Sequence, residues 1–183
     1  MKLTIKRGDI TTEQVDVIVN AANKYMLGGG GVDGAIHKAA GHQLREECIN
    51  IDGEIDYPEM GTKIRCREGE IQITGAYNLP AKHIIHTVGP KCPNGKAGEH
   101  EQSILRCCWD RCLRQANLMG LKTIAFPSIA TGGYLFPIEI ASQIAIESIQ
   151  RHVDEGTDLE EVRIVCFSEK DVKFYKDAVS KNK

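Results

Sequence analysis

A chain of 183 residues, 42% hydrophobic and 26% charged, has the make-up of one ordinary globular domain with enough length for a sizeable core. A formal net charge of −2 argues against a dedicated nucleic-acid coat, which carries a basic stripe, so nucleic acid is not an expected partner. No stretch approaches the roughly 20 apolar residues of a membrane span, and the opening Met-Lys-Leu-Thr-Ile-Lys-Arg lacks the apolar segment of a secretion signal.

Apolar and β-branched runs predict strands over residues 2–6, 15–19, 62–65, 83–87, 123–126 and 162–167. Apolar residues recurring at spacings of three and four predict helices over 34–49, 102–119, 138–153 and 170–180. Strands alternating with helices imply an α/β layer sandwich with helices on both sheet faces. Leu3 and Ile5 alternate with Thr4 and Lys6, a pattern that suits an edge strand and hence a mixed sheet. The stretch 91–99, with Pro93, Gly95 and Gly98, reads as a surface loop. Seven cysteines without a secretion signal read as free thiols, and the expected location is cytoplasmic. Cys108 and Cys112 share an apolar helix stripe with Ile104, Leu105 and Ala116, so buried small hydrophobes are expected there rather than a metal centre.

Two glycine-containing loops each follow a strand and precede a helix. The first spans 21–33 and the second 128–137. Backbone N–H groups at a helix N-terminus attract phosphate, and glycine lets the backbone approach it. In open α/β sheets ligands bind at the carboxyl ends of strands, so two such loops are placed to clamp a diphosphate. The run Gly29-Gly30-Gly31-Val32-Asp33-Gly34 formally matches the dinucleotide fingerprint. Eight residues separate Asn20 from Gly29, too many for the tight turn that fingerprint needs, so a Rossmann dehydrogenase is discounted. Asp33 reads equally as the N-cap of a helix starting near Gly34 or as a functional carboxylate. His37 lies one helical turn further on the same face. Asn20 and Asn23 bracket two alanines beside the glycines, which points to sugar hydroxyls more than to turn chemistry. Asp9 reads first as the cap of a short turn, and alternatively as an acceptor for an exocyclic amine.

The segments Gly-Asp-Ile-Thr at 8–11, Val-Asp-Val-Ile-Val-Asn-Ala-Ala-Asn at 15–23, Val-Asp-Gly-Ala-Ile-His at 32–37, 75–90 and 128–137 together resemble a macro domain. The resemblance runs in order along nearly the whole chain, as one domain over 1–183. Within the family it is similar to the MacroD-type ADP-ribosyl hydrolases and O-acetyl-ADP-ribose deacetylases. It implies a three-layer α/β/α sandwich around a mixed sheet, with ADP-ribose in a cleft along the crest. Asp9 and the Ile10 amide would take the adenine, flanked by Phe167. The amides of Gly30, Gly31 and Val32, and those of Thr131, Gly132, Gly133 and Tyr134, would hold the diphosphate. Asn20, Ala22 and Ser128 would complete the ADP-ribose site, and Asn23 would bind the distal ribose. Asp33 matches the acidic residue of hydrolytic members and would orient or activate a water, with His37 in support. Neither metal nor cofactor is implied. Expected partners are ADP-ribose, ADP-ribosylated proteins and O-acetyl-ADP-ribose, on a monomeric protein away from membranes. A non-catalytic reader module, or a phosphatase acting on ADP-ribose-1″-phosphate, is the alternative. The second loop departs from the family pattern. Gly133 stands where a β-branched residue is usual, and Leu135 where a glycine is usual.

Overall fold

In the computed structural model, which describes residues 1–182, strands and helices alternate. In chain order they are β1 (Lys2–Arg7), β2 (Val17–Ala21), α1 (Gly31–Ala40), α2 (His42–Ile49), β3 (Glu54–Tyr57), β4 (Thr62–Ile64), β5 (Ile71–Gly75), β6 (His83–Thr87), α3 (Glu99–Leu118), β7 (Thr123–Phe126), α4 (Ile138–Asp154), β8 (Glu161–Cys166) and α5 (Glu169–Lys181). Six strands form one sheet in the order β1-β8-β7-β2-β6-β5. β5 runs antiparallel to β6, and every other pair is parallel. The sheet is therefore mixed, and β1 sits at its edge, as its alternation implies.

Strand alternation divides the core between the two faces. Val17 and Val19 of β2, Ile85 of β6, and Ile124 and Phe126 of β7 pack with residues of α3, α4 and α5. Their neighbours Ile18, Ile84 and Ala125 turn the other way and pack with Ile36, Ala40 and Leu44 of α1 and α2. Trp109 of α3 stacks on Phe126 with ring centroids 4.2 Å apart. The result is a three-layer α/β/α sandwich whose central strands are covered on both faces. All seven cysteines are free thiols, with Cys108 and Cys112 in the α3 stripe fully buried. No helix among the described residues is long and apolar enough to cross a membrane.

One expectation needs correction. The helix expected over 34–49 is two helices, broken at Gly41, whose φ of +92° is closed to residues with a side chain. A Cβ there would also sit 2.8 Å from the Asn78 amide nitrogen. The strand expected near 62–65 is present as β4 and lies outside the main sheet. It pairs with β3 in a separate hairpin, a partner whose sequence Glu-Ile-Asp-Tyr carries too little apolar signal to announce a strand. β5 is not among the expected strands, although Ile71 and Ile73 alternate with Gln72 and Thr74. Within the expected surface loop 91–99, Cys92 is buried, and its N–H donates to the Tyr134 carbonyl at 2.7 Å.

Candidate functional site

β2 and β7 are parallel neighbours, so their carboxyl ends deliver the two glycine loops to the same end of the sheet. The first loop packs tightly on the helix that follows it. A Cβ on Gly34 would lie 2.4 Å from the Gly29 carbonyl oxygen, so only glycine permits this approach. At Gly30, Gly31, Gly132 and Gly133 the opposite holds: a Cβ would meet no atom within 4 Å. Packing does not demand glycine at these four positions. They line open space on both loops.

α1 begins at Gly31, with Gly30 as its cap, so Asp33 is not the N-cap. It lies inside the first turn, where a carboxylate still gains from the N-terminal end of the helix dipole. Its side chain turns inward and is 4% exposed. Asn20 Nδ2 donates to Asp33 Oδ1 at 2.7 Å, and His37 Nε2 stands 3.5 Å from the same oxygen. Asp33 Oδ2 has no protein partner, and neither has Asn20 Oδ1 or His37 Nε2. Burial raises the Asp33 carboxyl above its ordinary value, against the opposing pull of the Asn20 hydrogen bond and His37. Burial also lowers His37, against the opposing pull of the Asp33 carboxylate. The His37 ring lies beneath Gly28, where a Cβ would touch it at 3.5 Å.

Asn23 carries out turn chemistry at both ends of its amide. Its Oδ1 accepts from the N–H groups of Tyr25 and Met26, at 3.0 and 3.2 Å, and its Nδ2 donates to the Gly28 carbonyl at 3.0 Å. The Nδ2 group carries a second hydrogen. Asn23 Nδ2 and Asp33 Oδ2 flank Gly29 together, 3.2 and 3.1 Å from where a Cβ would stand. The donor and the partnerless carboxylate oxygen thus converge at one point of the loop. Ala22 is buried and held by its N–H to the Thr87 carbonyl at 2.9 Å, and Val32 packs against the α1 side of the core.

At the other end of the sheet crest, Asp9 and Phe167 follow the paired ends of β1 and β8. Asp9 Oδ1 accepts from the Thr11 N–H at 2.9 Å and the Thr11 hydroxyl at 2.7 Å, so it does cap the short turn Ile10–Thr12. Ile10 is buried beneath it. Phe167 is 92% exposed, an unusual position for a lone aromatic ring. In the second loop, the Ser128 hydroxyl faces inward, 2.7 Å from the buried Tyr175 hydroxyl, and Thr131 Oγ1 donates back to Ser128. Tyr134 spans both core clusters, and its phenol is pushed up by burial and by the carboxylates of Glu68 and Asp33. Lys91 Nζ lies 5.3 Å from the Tyr134 ring centroid.

Ala130 and Leu135 take left-handed φ values of +64° and +58°. Left-handed backbone costs a residue with a side chain about 1–2 kcal/mol, so the second loop stores strain at the position where glycine is usual in the family. Gly133 has neither a positive φ nor a crowded Cβ position. Gly133→Ala is therefore expected to stabilise the protein by about 0.4–1 kcal/mol through the unfolded chain. Thermal melts with and without ADP-ribose check this; a lowered melting temperature would show that the loop uses the freedom of glycine.

The comparisons agree with this architecture. Residues 19–145 match the Macro domain family. The O-acetyl-ADP-ribose deacetylase 1 of Pantoea vagans is 41% identical over 95% of this chain and 96% of its own. A macrodomain of Oceanobacillus iheyensis, solved with ADP, superposes with a TM-score of 0.85 at 39% identity, covering 96% of this chain and 88% of that one. A macrodomain of Trypanosoma brucei, solved with ADP-ribose, gives 0.82 at 36% identity over 97% of this chain and 69% of that one. With the mixed sheet, the paired glycine loops and the Asn23–Asp33 convergence in place, this chain belongs to the macro domain family.

Proposed function

We propose that this protein binds ADP-ribose and hydrolyses esters at its distal ribose, releasing ADP-ribose from glutamate- or aspartate-linked protein adducts, from O-acetyl-ADP-ribose, or from both. The observation that carries the reading is the buried Asp33 Oδ2, without a protein partner, beside Asn23 Nδ2 at the mouth of a glycine loop. The diphosphate takes the amides of Gly30, Gly31 and Val32 on one side and of Thr131 through Tyr134 on the other. Asn23 donates its remaining hydrogen to the distal ribose. Asp33 Oδ2 orients a water and accepts its proton as the oxygen adds to the ester carbonyl, then returns that proton to the departing ribose oxygen, giving ADP-ribose and the free carboxylic acid. A carboxyl raised by burial is a better base than an ordinary one near pH 7. The relatives named as a deacetylase, or solved with ADP and ADP-ribose, support the reading.

The test is turnover. Glutamate-linked mono-ADP-ribosylated protein and O-acetyl-ADP-ribose are incubated with the protein and release of ADP-ribose is followed. Calorimetric binding of ADP-ribose alongside no release from either substrate would reduce the protein to a reader and overturn the hydrolase reading. The exposed ring of Phe167 serves as the adenine platform. Phe167→Ala is expected to weaken ADP-ribose binding by about 1–3 kcal/mol, the range for base–aromatic stacking, while leaving thermal stability unchanged. Equal affinity in titration calorimetry would remove Phe167 from the site.

A further inference from the structure

Behind Asp33, its partner Asn20 leads into buried polar groups, His86 and Thr74, that the site described above does not use. Sheet register brings them together. β2 and β6 are parallel with Asn20 opposite His86, and β5 and β6 are antiparallel with Thr74 opposite Ile84, one diagonal step from His86. Asn20 shares a face of β2 with Ile18, and His86 shares one of β6 with Ile84; both isoleucines pack toward α1. Asn20 and His86 are fully buried and Thr74 is 2% exposed. Asn20 Nδ2 lies 2.7 Å from Asp33 Oδ1 and 3.1 Å from His86 Nδ1, and His86 Nε2 lies 2.9 Å from Thr74 Oγ1.

Hydrogen bookkeeping leaves one arrangement. The Asn20 amide has two hydrogens, and Asp33 Oδ1 and His86 Nδ1 receive one each. His86 Nδ1 is then an acceptor, so the ring proton sits on Nε2 and is donated to Thr74 Oγ1. The Thr74 hydroxyl in turn donates to the Gly75 carbonyl at 3.1 Å. Turning the Asn20 amide over would set its oxygen against the Asp33 carboxylate. We propose that Thr74, His86 and Asn20 form a positioning relay that holds the Asp33 carboxylate so that Oδ1 is occupied and Oδ2 alone is presented to the reacting water. This inference rests on the hydrolase reading of Asp33.

Stability does not require such a line. Ile84 and Ile85 beside His86 are ordinary core residues, and replacing a buried polar group together with its partners by apolar side chains of the same shape is often neutral or stabilising. Orientation does require it. Without the acceptor at His86 Nδ1, the Asn20 amide is free to rotate, and Asp33 loses the bond that sets its side-chain torsion. Burial holds the imidazole down at about 3, so the relay keeps one protonation state at neutral pH.

Two measurements decide the proposal. The first is NMR: nitrogen spectra of the imidazoles in the intact parent protein, with carboxyl-carbon titration of the parent and of His86→Phe. His86 is expected as a single neutral tautomer protonated at Nε2, with the Asp33 carboxyl titrating higher in His86→Phe than in the parent, because the Asn20 bond favours its charged form. The second is kinetics. His86→Phe is expected to lower kcat roughly 10- to 100-fold, the loss typical when an orienting partner is removed, with KM and ADP-ribose affinity unchanged. His86→Asn, which offers an oxygen near the Nδ1 position, should recover most of the rate. Thr74→Val, nearly isosteric, should lower kcat less and serves if His86→Phe fails to fold. A mixed or Nδ1-protonated tautomer, an unmoved Asp33 titration, or parent-like kcat in a folded variant would overturn the relay. If the parent protein releases no ADP-ribose, the hydrolase reading fails, while the tautomer and the Asp33 titration still decide the relay.

Discussion

Asp33→Ala is expected to slow ADP-ribose release by roughly 10²–10⁴-fold, the usual contribution of a positioned proton acceptor, while ADP-ribose still binds. The affinity survives because the phosphate contacts come from backbone amides that the substitution leaves in place. A variant that releases ADP-ribose at the parent rate would remove Asp33 from the chemistry. The same residue also has a stability signature. Its folded carboxyl is raised by burial, so the folded chain holds this proton more tightly than the unfolded one. The stability linked to that proton is present below the unfolded value of 3.8 and is lost as pH rises through the folded value. At neutral pH an ionised, buried Asp33 therefore works against the fold. Asp33→Asn keeps an acceptor for Asn20 and removes the charge, so its melting temperature should exceed the parent's at pH 7 and fall back toward it in acid. A lower melting temperature at pH 7 would show that the carboxylate is held without strain. Activity at the cost of stability is the trade expected of a functional carboxylate.

Acid should destabilise the protein well before its surface carboxylates titrate, and His86 is the main cause. Its value falls from 6.5 in the unfolded chain to about 3 in the folded one, through burial first and repulsion from His37 second. A depressed histidine means that the unfolded chain binds the proton that the folded chain refuses. Stability is then full above pH 6.5 and declines as pH falls toward 3. The slope approaches about 1.4 kcal/mol per pH unit, so roughly 3 kcal/mol is lost by pH 4. His37, lowered in the same sense, adds to this, and Asp33 opposes it as it gains its proton. Asp16 and Glu161, each held near 2 by lysine or arginine partners and hydrogen bonds that outweigh desolvation, give up their stabilisation at still lower pH. Denaturant melts at pH 7, 5.5 and 4 measure the slope. In His86→Phe the decline between pH 6.5 and 4 should be flatter by most of that amount; parallel profiles would show that the buried imidazole is not its source.

Much of this molecule follows from the order of its residues. Alternation in Leu3–Ile5 placed β1 at an edge, and the strand–loop–helix punctuation located both glycine loops. Periodicity of three and four marked α3, α4 and α5, because their buried stripes repeat regularly enough to outweigh local detail. Local signals were ambiguous where conformation depends on distant partners. Gly41 interrupts a pattern that otherwise reads as one helix, and only the approach of Asn78 shows why the chain turns there. By position, Asp33 reads equally as a cap or as a functional carboxylate, because a carboxylate beside a glycine run fits both roles. It lies inside α1 rather than at its cap, since the helix starts at Gly31 and the carboxylate finds Asn20 in the interior. His86 lies in the family-like segment 75–90, but nothing local assigns it a role, since it is one histidine in a short apolar strand. Its meaning comes from register: the contacts to Asn20 and Thr74 bridge 66 and 12 positions of sequence and exist only once β2, β5 and β6 are aligned. Side-chain chemistry and strand or helix type are local properties and are written in the sequence. Which buried polar groups share a hydrogen is set by how strands pair across the sheet, and that is decided by the packing of both core layers together.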